Sequence, residues 1–221
     1  ANTFGSILAV GGNIENHGLF KAESLATLRI TSDSWVNEGI LSAGPWHPRI
    51  LGGIEIHATS FRNSKKGTIT GEGRLTLSDT TLENEGIISP GDAIGELVVD
   101  GDLTMKSTST LRIDVAGSSG AESDLLTVFG DTQLGGLLEL SLASSFELAG
   151  KQPFDILRVQ SGGLTGQFAN APEFVVVRSA LFAVTYSENS VSLTPVRIPE
   201  PSTKALFLLT VVCGCWLMKT R

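Results

Sequence analysis

A repeated Asn-x-Gly-apolar motif in the first hundred residues constrains the fold of this chain more than any other feature. Three copies share both the asparagine and the glycine: Asn16-His17-Gly18-Leu19, Asn37-Glu38-Gly39-Ile40 and Asn84-Glu85-Gly86-Ile87. The first two copies are 21 residues apart and the third follows after 47, close to two further periods. A degenerate copy, Asn63-Ser64-Lys65-Lys66-Gly67, lies in the gap. A period of about 20 to 25 residues is typical of solenoids, whose repeats bury their apolar faces only by stacking.

Short runs of alternating polar and apolar residues lie between the motifs. They include Ala26-Thr27-Leu28-Arg29-Ile30, Ile54-Glu55-Ile56-His57 and Leu75-Thr76-Leu77-Ser78. Alternation with period two, bounded by Gly and Asn, predicts half-buried strands. At the corners between strands, asparagine tolerates the left-handed conformation and its stacked amides can form a ladder, while glycine supplies positive φ or the absence of Cβ.

We therefore predict an all-β fold, a parallel β-helix over residues 1–195. An ordinary β-sandwich remains the alternative, because two sandwich strands per period would give the same spacing. Composition agrees with β structure and tight turns, since the chain has 25 glycines, 18% charged residues and 6% aromatic residues.

The second half of the chain departs from the motif and resembles a known class of exported proteins. The matching stretches are Ser89-Pro90-Gly91-Asp92, the run Asp124-Leu125-Leu126-Thr127-Val128 and Gly163-Leu164-Thr165-Gly166-Gln167-Phe168. They are similar to autotransporter passenger stretches, which form right-handed parallel β-helices outside the cell. This resemblance implies a right-handed ectodomain. The loss of the motif divides that ectodomain into a repeat part at about 1–100 and a divergent, capping part at about 101–195. Phenylalanines 146, 154, 168, 174 and 182 suit a cap over an open end.

The C-terminal residues have the composition of a membrane-directed tail. Residues 196–204 form a linker that contains Pro199, Glu200 and Pro201, residues 205–218 are an uncharged apolar run, and residues 219–221 are a basic cytoplasmic end. The run predicts a short transmembrane helix of about 21 Å, shorter than the roughly 30 Å hydrocarbon layer. Lys204 and Lys219 flank it and can snorkel outward.

This tail resembles the PEP-CTERM sorting signal, which an exosortase reads in Gram-negative bacteria. The matching features are Pro199-Glu200-Pro201, the apolar run and the closing Lys219 and Arg221. The resemblance implies export, transient membrane retention and cleavage near the Pro-Glu-Pro motif, followed by release or attachment at the cell surface. A plain tail anchor and an amphipathic core helix are the alternatives. Since Ala1 is not a methionine and no signal peptide is visible, we also expect the sequence to be a processed or truncated form.

Charge and cysteine content exclude several classes of function. The net charge is −7 with a sequence pI near 5.0, and no basic stripe is present, so nucleic acid is not an expected partner. Both cysteines, Cys213 and Cys215, lie in the tail, so the ectodomain has no disulfide framework. These two thiols are either inert apolar fillers or acylation sites, and we favour apolar fillers.

The sequence contains no recognisable catalytic or metal-binding motif. The three histidines, His17, His47 and His57, are scattered and would form a metal site only if stacked repeats brought them together. Aspartates next to glycine, such as Asp102 and Asp131, could hold Ca²⁺ or act as an acid pair on a sugar, but we interpret them as turn residues. The loop at 44–53 contains Trp46, His47 and Arg49, which suggest either a structural loop or a sugar-binding patch. We therefore predict no catalytic residues, no metal and no cofactor.

Two functions remain open on this basis. The first is an exported, non-catalytic surface or extracellular-matrix protein, structural or adhesive, whose partners are an exosortase-type processing enzyme, the membrane and an exopolysaccharide of a biofilm. It would lie in the cell envelope, at the cell surface or outside a Gram-negative cell, with a single-pass tail before processing. The second is a carbohydrate-active β-helix enzyme, a polysaccharide lyase or glycosidase. A row of carboxylates and basic residues on one face would favour the enzyme.

Overall fold

The computed structural model describes most of the chain before the tail. The described residues are 5–9, 11–22, 27–44, 53–78, 80–117, 122–144, 146, 152–178 and 180–196. The sorting signal, its flanking lysines and arginine, the apolar run and the loop residues Trp46, His47 and Arg49 lie outside them. Within the described residues, no helix is long and apolar enough to cross a membrane.

The described chain is all-β, as predicted, with 21 strands in two curled sheets. The strands of the first half are β1 (Gly5–Ala9), β2 (Asn13–Asn16), β3 (Leu19–Ala22), β4 (Thr27–Asn37), β5 (Ile40–Ala43), β6 (Gly53–Asn63), β7 (Thr68–Gly71), β8 (Arg74–Ser78), β9 (Leu82–Asn84) and β10 (Ile87–Pro90). Those of the second half are β11 (Glu96–Asp100), β12 (Leu103–Met105), β13 (Thr110–Val115), β14 (Leu125–Phe129), β15 (Thr132–Leu134), β16 (Leu137–Leu142), β17 (Phe154–Ser161), β18 (Leu164–Gly166), β19 (Phe174–Val177), β20 (Ala180–Tyr186) and β21 (Ser190–Val196).

The chain passes alternately between the two sheets. The six-stranded sheet contains β3, β5, β7, β10, β13 and β16, and the other strands belong to the 15-stranded sheet. Each strand of the six-stranded sheet pairs in parallel with the strand of the next passage, so that Leu41 lies beside Ile69 and Ile69 beside Ile88. We call one passage through both sheets a repeat. Equivalent side chains of successive repeats therefore stack in columns.

The predicted alternating runs are confirmed as strands with their apolar sides buried. Apart from Ala26, which lies outside the described residues, they lie within β4, β6 and β8. Ile30, Ile54, Ile56 and Leu75 are at most 1% exposed. Alternation places these side chains on the inner face, because successive residues of a strand point to opposite faces. The core therefore lies between the two sheets and continues from one repeat to the next.

Large side chains fill the core near one end of the stack. Trp35 pairs in register with Phe61, and Phe61 with Leu82, so the three form one inward column. Phe20, from the six-stranded sheet, packs edge-to-face against Trp35 with ring centroids 5.1 Å apart. This geometry is the favourable one for aromatic quadrupoles, and it ties the two sheets together.

The last strands change from parallel to antiparallel pairing. β17 pairs in parallel with β14 and antiparallel with β21, and β19, β20 and β21 pair antiparallel in sequence. Phe182 is completely buried and packs against Phe146 and Phe154, with ring centroids 5.8 and 6.5 Å away. Phe174, by contrast, is 50% exposed. Part of the phenylalanine-rich region thus packs beside the last parallel strands.

Candidate functional site

The four motif asparagines form a buried amide ladder that crosses successive repeats. The Nδ2 atom of Asn16 donates to Oδ1 of Asn37, Asn37 donates to Asn63, and Asn63 donates to Asn84, each over 2.7 Å. All four side chains are at most 2% exposed. Asn63 thus belongs to the repeat despite its degenerate motif, and the predicted ladder is confirmed. Each rung satisfies a donor and an acceptor that would otherwise be unpaired inside the protein.

The second Nδ2 hydrogen of each ladder asparagine binds a backbone carbonyl at the corner. Asn37 donates to Gly39 and Thr68, at 3.2 and 3.1 Å, and Asn63 donates to Gly67 and Ile87, both at 3.2 Å. The prediction that asparagine takes a left-handed conformation here is wrong. Among the described non-glycine residues only Arg178 has positive φ, and the ladder asparagines are the last residues of their strands. Asparagine is required at these positions for its side-chain amide.

The motif glycines are required because neighbouring repeats come very close together. A Cβ on Gly39 would lie 2.1 Å from the carbonyl oxygen of Gly18, and a Cβ on Gly86 would lie 2.2 Å from that of Ser64. Gly18, which has no earlier described repeat beside it, has nothing within 4 Å of such a Cβ. The absence of Cβ, one of the two predicted reasons, therefore explains these glycines, and positive φ does not.

Charged side chains on the outer faces pair between neighbouring repeats. Arg29 contacts Glu55 at 2.6 Å, Lys106 contacts Glu83 at 2.9 Å, and other pairs are Arg62–Glu85, Lys66–Glu38, Arg74–Asp100 and Arg112–Glu139. Each such surface pair contributes only about 0 to 1 kcal/mol. Because all six pairs join residues of different repeats, much of the surface charge nevertheless serves to align one repeat on the next.

A groove forms where the 15-stranded sheet narrows. Thr76 pairs with Asp100 and Leu82 with Leu103, so five residues of the sequence separate the paired positions in one repeat and only Gly101 and Asp102 separate them in the next. The pair of repeats before this one shows no such difference. His57 pairs with Ser78 and Phe61 with Leu82, so three residues separate the paired positions in each repeat. The connection through Gly101 and Asp102 follows a shorter path around the corner than the connection beside it. This difference leaves a recessed surface next to the longer connection, which we call the shelf.

Two adjoining cavities occupy this shelf. The larger has a volume of ≈ 730 Å³, the smaller one ≈ 390 Å³, and both are lined by Thr81 and Asp102. The polar lining residues are Ser34, Thr59, Ser60, Arg62, Thr80, Thr81, Glu83 and Asp102 in the first cavity, and Thr81, Asp102, Thr104, Asp131, Thr132, Gln133 and Thr165 in the second. We call the two together the corner groove. Its polar side chains are hydroxyls, one amide, one guanidinium and three carboxylates.

Asp102 and Asp131 stack on successive repeats of the corner groove. Oδ1 of Asp102 accepts the backbone N–H of Asp131 at 2.8 Å, and Oδ1 of Asp131 accepts that of Gly163 at 2.9 Å. Their interpretation as turn residues is thus confirmed. Both residues are exposed, and no ion pair in the described chain involves either. The two other charged groups of the groove are paired, Arg62 with Glu85 and Glu83 with Lys106.

Asp124 is the most perturbed carboxyl group among the described residues. It is 0% exposed, its Oδ1 accepts the N–H of Gly95 at 2.9 Å, and its Oδ2 accepts that of Asp114 at 2.8 Å. Burial, and to a smaller extent the charges of Asp114 and Glu72, raise the pKa of Asp124 to about 7, although the two N–H bonds act in the opposite direction. Such a pKa shift is common at catalytic sites, but here both carboxylate oxygens accept hydrogen bonds from backbone N–H groups. Asp124 therefore ties the turn before β11 to the end of β13.

The structure does not bring His17 and His57 together, and His47 lies outside the described residues. His17 lies between Glu15 and Glu38, at 3.4 Å from each, and His57 lies 3.9 Å from Glu55 in a different part of the stack. Across the described ranges, no group of three or more His, Cys, Asp or Glu side chains is placed to hold a metal ion. The scattered positions of His17 and His57 therefore provide no metal site.

Sequence reasoning missed the corner groove. A signal was present in the lengths of two connections. The connection through Gly101 and Asp102 contains fewer residues than the connection through Thr80 and Thr81 in the repeat before it. Reading that signal requires the register of the strands on both sides, which a single sequence does not supply.

No protein-family model matches the chain, and no curated protein matches it either.

Proposed function

We propose that the ectodomain is a right-handed parallel β-helix that serves as an exported, non-catalytic structural or adhesive protein of the cell surface or extracellular matrix. Parallel pairing between successive repeats supports the β-helix over a β-sandwich, whose sheets are antiparallel. Right-handedness follows from the general preference of parallel β-crossovers, about 98% of which are right-handed. The resemblance to autotransporter passengers points the same way.

The single observation that carries this proposal is the Asn16–Asn84 amide ladder. Three buried side-chain bonds of 2.7 Å link four repeats along the stack. The outer ion pairs, such as Arg29–Glu55, link repeats in the same direction. Both the buried amides and many of the surface charges thus join one repeat of the ectodomain to the next. Such a domain is suited to be an elongated, durable scaffold in a matrix.

The sorting tail gives this scaffold its location in the proposal. Pro199-Glu200-Pro201, the apolar run of residues 205–218 and the closing Lys219 and Arg221 direct it through an exosortase-type enzyme. The protein then spans the membrane only before processing, and the mature form lies in the envelope, at the surface or outside a Gram-negative cell.

The test is mass spectrometry of the mature protein from its native host. The expected C-terminus lies close to Pro199–Pro201, with residues 205–218 absent, and the protein should fractionate with surface polysaccharide. A Pro199→Ala, Pro201→Ala double variant should keep the apolar run and remain in the membrane fraction. A full-length C-terminus in soluble cytosolic protein would contradict both export and the matrix role.

The second candidate, a polysaccharide lyase or glycosidase, is favoured by one observation. Asp102 and Asp131 stack in a groove large enough for several sugar residues. Incubating the full chain with acidic polysaccharides, and measuring new reducing ends and unsaturated products, distinguishes the two functions. Robust turnover that disappears in the Asp102→Asn, Asp131→Asn variant would replace the structural role with catalysis.

A further inference from the structure

We infer that the corner groove binds a linear, hydroxyl-rich polysaccharide without carboxylate groups, and that it prefers a polymer with free amino groups. This inference deepens the proposed matrix role and rests on it, because it names the class of polysaccharide that the scaffold would hold. It concerns the 730 and 390 Å³ cavities where the 15-stranded sheet narrows.

The shape of the groove suits a polymer. One register column contains Phe61, Leu82, Leu103 and Thr132. The polar residues directly before them, Ser60, Thr81, Asp102 and Asp131, therefore follow one another along the stack. Neighbouring strands of a sheet lie about 4.8 Å apart, so this column offers polar groups at a regular interval over several repeats. A repeating ligand can occupy successive positions of such a column with the same contacts, whereas a small molecule would use only part of it.

The chemistry of the lining matches sugar hydroxyls. Thr80, Thr81 and Thr104 carry hydroxyls that both donate and accept, and Gln133 adds an amide that does the same. The large aromatic side chains beside the groove, Trp35 and Phe61, are at most 1% exposed, so they belong to the core. Recognition must then depend on hydrogen bonds and charge, and hydrogen bonds to a carboxylate are about twice as strong as neutral ones.

The charge of the groove selects among polysaccharides. Asp102 and Asp131 each use Oδ1 for a backbone N–H, and their carboxylates have no cationic partner in the described part of the chain. Arg62 and Lys106 already contact Glu85 and Glu83. Among its described residues the groove therefore presents two uncompensated negative charges, which repel a polyuronate and attract the ammonium groups of an amino sugar polymer.

The test is calorimetric titration of the full chain, kept in mild detergent, with three oligosaccharides of equal length. The probes are fully deacetylated chito-oligosaccharide, a neutral β-glucan oligosaccharide and oligogalacturonate. We expect the amino glycan to bind most tightly, the neutral glycan more weakly, and the acidic glycan without measurable heat. Equal or tighter binding of the acidic glycan, or no binding of any probe, would overturn the inference.

A double variant, Asp102→Asn with Asp131→Asn, tests the site itself. The amide oxygens can still accept the N–H groups of Asp131 and Gly163, so the fold should be kept, which circular dichroism checks. We expect affinity for the amino glycan to fall about tenfold or more. Affinity for the neutral glycan should fall by a smaller factor, because its hydroxyls lose charge-assisted hydrogen bonds but no ion pair. The variant Thr81→Val should weaken binding of both, because it removes a hydroxyl that lines both cavities.

The matched control removes the same charge elsewhere. Glu139→Gln with Glu173→Gln replaces two exposed carboxylates, the first on the six-stranded sheet and the second in the segment before β19. If this variant loses as much affinity as the groove variant, attraction is by net charge alone and the groove is not the site. Tail processing and matrix location are measured in the native host, so their failure is distinguishable from a failure of groove binding.

Discussion

Replacing one asparagine inside the amide ladder should destabilise the protein more than replacing one at its end. In the Asn37→Met variant, Nδ2 of Asn16 loses its acceptor and Oδ1 of Asn63 loses its donor. In Asn84→Met, only Nδ2 of Asn63 loses an acceptor among the ladder side chains. Methionine is a natural continuation of the column, because Asn84 pairs in register with Met105 in the next repeat.

The magnitude follows from counting orphaned groups. A buried polar group left without its partner costs about 1 to 3 kcal/mol. Asn37→Met orphans two side-chain groups at positions that are at most 2% exposed, so we expect a loss of about 2 to 6 kcal/mol. Asn84→Met orphans one, which corresponds to about 1 to 3 kcal/mol. The ratio between the variants is the sharper prediction, because the residue change and the burial are matched.

The assay is equilibrium unfolding of both variants in urea, followed by circular dichroism and by tryptophan fluorescence. The free energy of unfolding of Asn37→Met should fall by roughly twice as much as that of Asn84→Met. Equal losses, or a larger loss for Asn84→Met, would show that the asparagines act singly and that the ladder is not a coupled structure.

The remaining predictions concern glycine, pH and tyrosine. Gly39→Ala should lower the free energy of unfolding by about 1 to 3 kcal/mol because its Cβ meets the Gly18 carbonyl, whereas Gly18→Ala should change it by less than about 0.5 kcal/mol. Because burial raises the pKa of Asp124 from about 3.9 unfolded to about 7 folded, stability from this group is complete below about pH 4 and lost as pH rises through 7. Unfolding titrations from acid to neutral pH should show this decline in the natural chain, and it should be absent in Asp124→Asn; an equal decline in both would contradict the assignment. Tyr186→Phe should cost about 1 to 3 kcal/mol in urea unfolding, because its hydroxyl donates to Ala171 at 2.7 Å and accepts from Phe168; no loss would mean that water replaces both bonds.

Much of the fold was predictable from local patterns. The alternation in Ile54–His57 and Leu75–Ser78 predicted strands with a buried apolar face, and the shared Asn-x-Gly identities predicted the stacked amides. Both patterns can be recognised in a single sequence, because the residues that form them recur at nearly constant intervals along the chain. The conformation of the asparagines was not predictable in the same way, because a strand-end asparagine and a left-handed turn asparagine have the same sequence signature.

The candidate site could be predicted only in part. Asp102 and Asp131 were recognisable as turn residues from the glycines before them, and the structure places them there. Their stacking in one groove, and the perturbed environment of Asp124, depend on contacts between residues 10 to 29 positions apart. Such contacts are set by which repeats lie side by side.

The sequence by itself determined that this chain forms β-strands and that asparagines recur at one position of a repeat, because period-two alternation and residue identity are local properties. Only the tertiary structure decided that a groove lined by Thr81 and Asp102 forms at this corner. Two repeats of unequal length had to be placed in register before their difference became a groove, and register is fixed by packing across the sheets.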